Sequence, residues 1–161
     1  MEIISHQRIP CNSDKGMESL IEQTAKKTGK VIHGFETFPY QMALYDSIPY
    51  KKQAEAFMKM VDDVTLLDRQ HNELMAKYRK QDIDGIWRLA VAESGEGFSD
   101  MDILVYNRSA KWMPLMEEAM KEGVAFFAVD AVHLAGERGL LNLLQQAGYT
   151  VRPMQHRPYL Q

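Results

Sequence analysis

GVAFFAVDAVHLAGERG, Gly123 to Gly139, carries the clearest fold signal in the chain. Val124 to Val129 is a continuous apolar run, too short and too unbroken for an amphipathic helix, and it predicts a buried strand. The run empties into Asp130-Ala131-Val132-His133. A helix signal follows at once, with Gly136 and Glu137 leading into the periodicity of Leu140, Leu141, Leu143 and Leu144. A strand that ends in an acid and a histidine just before a helix is where open α/β sheets place their chemistry.

Working outward, 161 residues suffice for one domain with a real core. Apolar residues at 45% and charged residues at 25% fit an ordinary globular protein. A formal net charge of -3 gives no electrostatic reason to expect nucleic acid or an anionic membrane as partner. No apolar run approaches the length of a bilayer span. The start, MEIISHQRIPCNSDKG, lacks the basic and then apolar regions of a secretory signal, so the localisation of the parent protein, cytoplasmic or exported, stays open. The lone Cys11 cannot close an intrachain disulfide, and no cysteine cluster offers a zinc site.

In chain order, Pro10 to Asp14 predicts a turn, with Ser13 or Asp14 capping a helix to about Lys27 on an apolar face of Met17, Leu20, Ile21 and Ala25. Lys30 to Glu36 reads as a second buried strand, with His33 packed beneath a helix. Thr37 and Pro39 suit a helix start, as do Ser47 to Pro49. From Tyr50 to Lys80, Ala54, Phe57, Met58, Val61, Val64, Leu67, His71, Leu74, Met75 and Tyr78 recur at helical steps. They form either one long helix or two with a kink near Asp62-Asp63, and serve as core or as a dimerisation face, with His71 a packed histidine. Asp82 caps a helix, Glu93 to Gly97 is a Gly-rich loop, and Ser99-x-x-Asp102 resembles a capping box before a helix that Pro114 can break. Tyr149 to Met154 reads as a short edge strand and the residues after it as a loose tail.

Six or seven helices and about three strands predict a single α/β domain over residues 1–161, helix-rich and layered, with a small, mainly parallel sheet. The last two strands and the helix between them make a βαβ unit. So thin a sheet is expected to be completed by something outside the chain, or by a second copy pairing edge to edge.

If the strands 30–36 and 124–129 are parallel neighbours, Glu36, Asp130 and His133 share one rim of the sheet. Two carboxylates and an imidazole suit a divalent metal; the same trio suits a general base with its orienting acid. Alternatively, the acids cap the following helices and His133 bonds a loop carbonyl. Arg108 either holds Glu36 or a substrate anion bidentately or is a solvated arginine. Gly136-x-x-Gly139 is a weak anion-site signal without a fuller phosphate loop.

The run VDAVHLAGERGLLNLLQQAGYTVRP resembles the C-terminal signature of the TraB/GumN proteins, which include pheromone-shutdown proteins and the Tiki proteases. The matching residues are Ala131, His133, Leu134, Gly136, Gly139, Gly148, Tyr149, Val151 and Pro153. Upstream, Glu36, Thr37 and Gln41 fall on the family's Gly-Leu-Glu-Thr segment and its following glutamine. Arg108 to Trp112 is similar to its Arg-Asn-x-x-Trp. The resemblance implies a fold shared with ChaN-like and erythromycin-esterase proteins. It also implies a metal-dependent, peptidase-like hydrolase, with Mn, Co or Zn as candidate metals, Glu36, His133 and Arg108 as catalytic residues and Glu36 and His133 toward the metal; Asp130, the third metal candidate from the shared rim, either adds a ligand or crowds the turn. The competing reading is a non-catalytic module that binds a peptide or small ligand. Asp130 stands where the family has Gly, Ser109 where it has Asn, and its first Gly-x-x-His has no counterpart, His6 lying in no such context. The expectation is therefore the C-terminal portion of the family domain, acting as a homodimer or as a composite with an N-terminal half.

Overall fold

The computed structural model describes residues 16–93 and 100–154. Among them are seven α-helices: α1 Met17–Lys27, α2 Phe38–Asp46, α3 Tyr50–Asp62, α4 Leu66–Arg79, α5 Ile83–Glu93, α6 Asn107–Glu122 and α7 Leu140–Gln146. A π-helical turn, Asp102–Tyr106, runs directly into α6, and a 3-10 turn spans Ala131–His133. The chain divides into two compact units between Phe35 and Glu36, with α1 in the first and the remaining elements in the second. No helix among the described residues is long and apolar enough to cross a membrane.

Local chemistry accounts for the helix ends. Thr37 caps α2, its Oγ1 accepting from the Tyr40 amide at 3.4 Å, and Pro39 sits in the first turn where no amide is needed. The stripe from Tyr50 to Lys80 resolves into two helices. Asp63 leaves helical geometry at φ −127° and ψ 89°, and its carboxylate accepts from the amide and hydroxyl of Thr65 at 3.0 and 2.8 Å. Asp82 caps α5 through the Gly85 amide at 2.8 Å, and Asp100 receives the Ile103 amide at 3.1 Å ahead of the π turn. Helix α6 continues through Pro114 rather than breaking there.

No described residue lies in a β-strand, which overturns the expected α/β fold, its parallel sheet and its βαβ unit. The runs 30–36, 124–129 and 149–154 carry no regular structure, and much of their apolar surface is open: Val31 is 79% exposed, Phe126 79% and Met154 94%. An apolar run reports a preference for burial, whereas a strand exists only when its backbone groups are paired by a neighbour. Among the described residues the core is built by helices and the turns between them, without a sheet. In the second unit Ile86, Met101, Val105, Trp112, Met116 and Leu140 are buried as α4 packs on α5, α5 on the 3-10 turn, and α6 on α7.

One further expectation changes. His33 is exposed rather than packed beneath a helix. The stripe is only partly core, because Phe57, Met58, Val61 and Val64 are all more than half exposed. The readings of His6, Cys11, the Pro10–Asp14 turn and cap, the Ser94–Gly97 loop, the Ser99 cap and the tail 155–161 lie outside the described residues.

Candidate functional site

The site grows from the start of α6. Arg108 and Trp112 are four residues apart, so one helix face presents both, and Ser109 looks toward the neighbouring face. The preceding π turn widens the backbone, and Arg108 Nη1 donates to the Leu104 carbonyl within it at 2.9 Å. Glu36, directly before the Thr37 cap, meets this face. Arg108 Nε donates to its Oε1 and Oε2 at 3.1 and 3.0 Å, and Arg108 Nη2 lies 2.9 Å from Oε2. Trp112 Nε1 donates to Oε1 at 3.0 Å and Gln41 Nε2 to Oε2 at 3.4 Å. The Glu36 side chain is 5% exposed and that of Arg108 is 16% exposed. Burial pushes the Glu36 carboxyl up, but the bonds and charge of Arg108, helped by Trp112 and Gln41, outweigh it and hold the group below its ordinary range.

His133 is the other pole. It closes the 3-10 turn, is 1% exposed, and its Nδ1 lies 2.9 Å from the hydroxyl of fully buried Ser109. Its ring is 4.5 Å from that of Trp112 at a tilt of 39°. Trp112 thus gives its N–H to the acid and its face to the imidazole. Burial, then the Arg108 charge, lowers the His133 pKa to about 4 against the opposing pull of Asp130 and Glu36, so the ring is neutral at pH 7. Asp130 itself is exposed. Its backbone carbonyl accepts from the His133 amide at 3.0 Å, while its side chain makes no cap.

The loop after His133 explains the two motif glycines by space. Gly136 has φ +85°, and a Cβ there would stand 2.5 Å from Trp87 Nε1. A Cβ at Gly139 would stand 2.1 Å from the Ala135 carbonyl oxygen. Between them Arg138 pairs with Asp102, donates to Asn107 Oδ1 at 3.3 Å, and lies 4.5 Å from the Tyr106 ring centroid. Tyr106 in turn accepts from Trp87 Nε1 at 2.9 Å. The glycines therefore serve packing, and the loop that carries His133 is fastened to the π turn.

Of the residues expected to carry chemistry, Glu36 and Arg108 are joined directly, and His133 stands beside them through Trp112. As for a metal, the Glu36 oxygens already accept from Arg108, Trp112 and Gln41, and a guanidinium occupies the place a dication would take. Among the described residues no group of three or more His, Cys, Asp or Glu is placed to hold a metal ion. This donor arrangement does not fit the implied metal. Ser109 is the partner that the sequence hid: it stood only as a departure from a motif, and its one signal was adjacency to Arg108.

A cleft of about 480 Å³ opens beside His133. Leu67, His71 and Leu74 of α4, Leu89 and Ala90 of α5, Leu104 and Val105 of the π turn, and Val132 form its walls, with Arg108 and His133 among its lining. His71 is thus a half-buried cleft residue rather than a core one.

No curated protein and no solved structure matches the chain. The model of the TraB/PrgY/gumN family matches it over residues 1–153, nearly its whole length. The chain belongs to the TraB/PrgY/gumN family.

Proposed function

We propose that this chain is a non-catalytic binding module of its family, taking a peptide or small ligand into the cleft beside His133. The observation that carries this reading is the state of Glu36. Both oxygens are engaged by part-buried donors from the protein itself, so the hydrogen-bonding capacity of the acid is taken up within the fold. Its part is to anchor the start of α6, from which Arg108, Ser109 and Trp112 shape the wall that holds His133. The cleft has a volume usual for small-ligand sites and walls that are mostly apolar, with few polar groups to fix orientation.

The test is an amide NMR titration with a mixture of blocked tripeptides, leucine at both ends and every residue type in the middle, followed by mass spectrometry of the peptides. The expected result is shifts confined to amides such as those of Ala90, Leu104 and Val105, with every peptide recovered intact. Cleavage of any peptide, or shifts spread away from the cleft, would contradict the reading.

A metal-dependent hydrolase is the second reading. One observation favours it: His133, the histidine of the family motif, is in the lining of the cleft.

A further inference from the structure

The stripe between Tyr50 and Lys80 leaves one face that neither the core nor the cleft uses. Helix α3 is seated by Gln53, whose side-chain amide donates to the Tyr45 and Ile48 carbonyls at 3.1 and 2.8 Å, and by Ala56, its only buried residue. Gln53, Ala56 and Met60 share that inner side. A second side is apolar and open. Ala54, Phe57, Met58 and Val61 follow one another at i, i+3, i+4 and i+7, with Tyr50 one turn before and Val64 just beyond. Tyr50 and Val64 are 76% exposed and Phe57 60%. Together these side chains show roughly 500–600 Å² of apolar surface, the upper end of what one patch on a monomer presents. No residue of α3 lines the cleft, so this face is independent of what the cleft binds.

The charges beside the apolar stripe point to its partner. Lys51 and Asp62 stand about three helical turns apart, so both lie on the same flank, one at each end. Both are exposed. The helix dipole disfavours a base at the start and an acid at the end, so neither is placed to support the isolated helix. Asp63, by contrast, is held by Arg69 and Thr65. Lys51 approaches Glu55 only to 3.9 Å, beyond hydrogen bonding.

We infer that this face of α3 pairs two copies of the chain, antiparallel about a two-fold axis at the level of Phe57, with Lys51 of each copy opposite Asp62 of the other. Such an axis turns one flank of a helix toward the same flank of its partner and exchanges the ends, so base meets acid twice. The apolar stripes then face each other with Phe57 at the centre. A parallel pair would instead set Lys51 on Lys51 and Asp62 on Asp62. Two such faces cover on the order of 1,000 Å² of apolar surface, the threshold for a specific interface, which makes a dimer that dissociates on dilution.

Sedimentation velocity of the full chain over a dilution series tests this, and the wild type is expected to dimerise reversibly. Phe57→Ser combined with Val61→Ser removes the apolar contacts and should weaken the dimer more than about a hundredfold. Lys51→Glu and Asp62→Lys each turn two attractions into repulsions and should weaken it roughly tenfold. Mixing these two variants makes every facing pair opposite in sign again, and should restore wild-type affinity between them. A wild type that stays monomeric at every concentration would overturn the inference and leave the face to a different protein. A dimer untouched by the serine substitutions would overturn its placement on α3. Charge variants without effect, or not rescued by mixing, would overturn the antiparallel register. All four substituted side chains are exposed, so loss of folding does not confuse the outcome.

Discussion

Glu36 and Glu73 carry the same carboxylate, and their surroundings put it to opposite uses. Glu36 is buried and held by a guanidinium, an indole N–H and an amide, so its charge is neutralised where it stands. Glu73 is exposed on α4 at the edge of a cleft, with another acid, Glu93, near enough to feel it. The first acid builds the protein. The second stands in solvent at the edge of the cleft. Motif membership and chemical availability are thus separate properties: Glu36 is the family-pattern acid, yet its carboxylate is the one taken up inside the protein.

The comparison breaks most visibly on removing Glu36. Glu36→Ala leaves the Arg108 charge buried without its partner, and the expected loss is about 3–5 kcal/mol of unfolding free energy by urea denaturation. A loss below about 1 kcal/mol would mean that the pair is not structural.

Acid sharpens the contrast next. His133 binds a proton near pH 6.5 when unfolded but near 4 when folded, so between these values the unfolded state holds more protons. Stability is therefore complete above about pH 6.5 and declines as pH falls toward 4, by about 3 kcal/mol in all. Glu36, whose folded pKa is depressed, adds a further loss below that window as the pH drops through its folded value. Thermal melts across pH 3.5–7.5 should show the slope, and His133→Gln should flatten the part between 4 and 6.5. A flat wild-type profile there would mean that the imidazole is not desolvated.

Smallest is the effect at the rim. Glu73→Gln removes one side of a like-charge pair, and its unfolding free energy should stay within about 0.5 kcal/mol of the wild type, on the stable side. A marked loss would give Glu73 a structural role like that of Glu36.

Much of the helical framework was legible because its signals are local. Thr37-Pro39 and Asp82 start helices by satisfying nearby amides, and Asp63 ends one by bonding Thr65. The bidentate Arg108–Glu36 pair was one of two readings open for that arginine, and the spacing of Arg108 and Trp112 gives its geometry. The sheet was misread for a physical reason. Val124 to Val129 has strand composition, but pairing depends on a second segment that no local pattern specifies, and among the described residues it is absent. The role of Ser109 was hidden likewise. A serine beside an arginine says nothing until the fold brings His133 to within 2.9 Å, 24 residues along the chain.

On the binding-module reading Glu36 is an anchor rather than a metal ligand. Titrating Mn²⁺, Co²⁺ and Zn²⁺ by calorimetry into the wild type and into Glu36→Gln, which keeps the shape and much of the hydrogen bonding of the site, tests it most directly. Any metal uptake is expected to be the same in both proteins. One-to-one binding of any of these ions by the wild type that disappears in Glu36→Gln would contradict it.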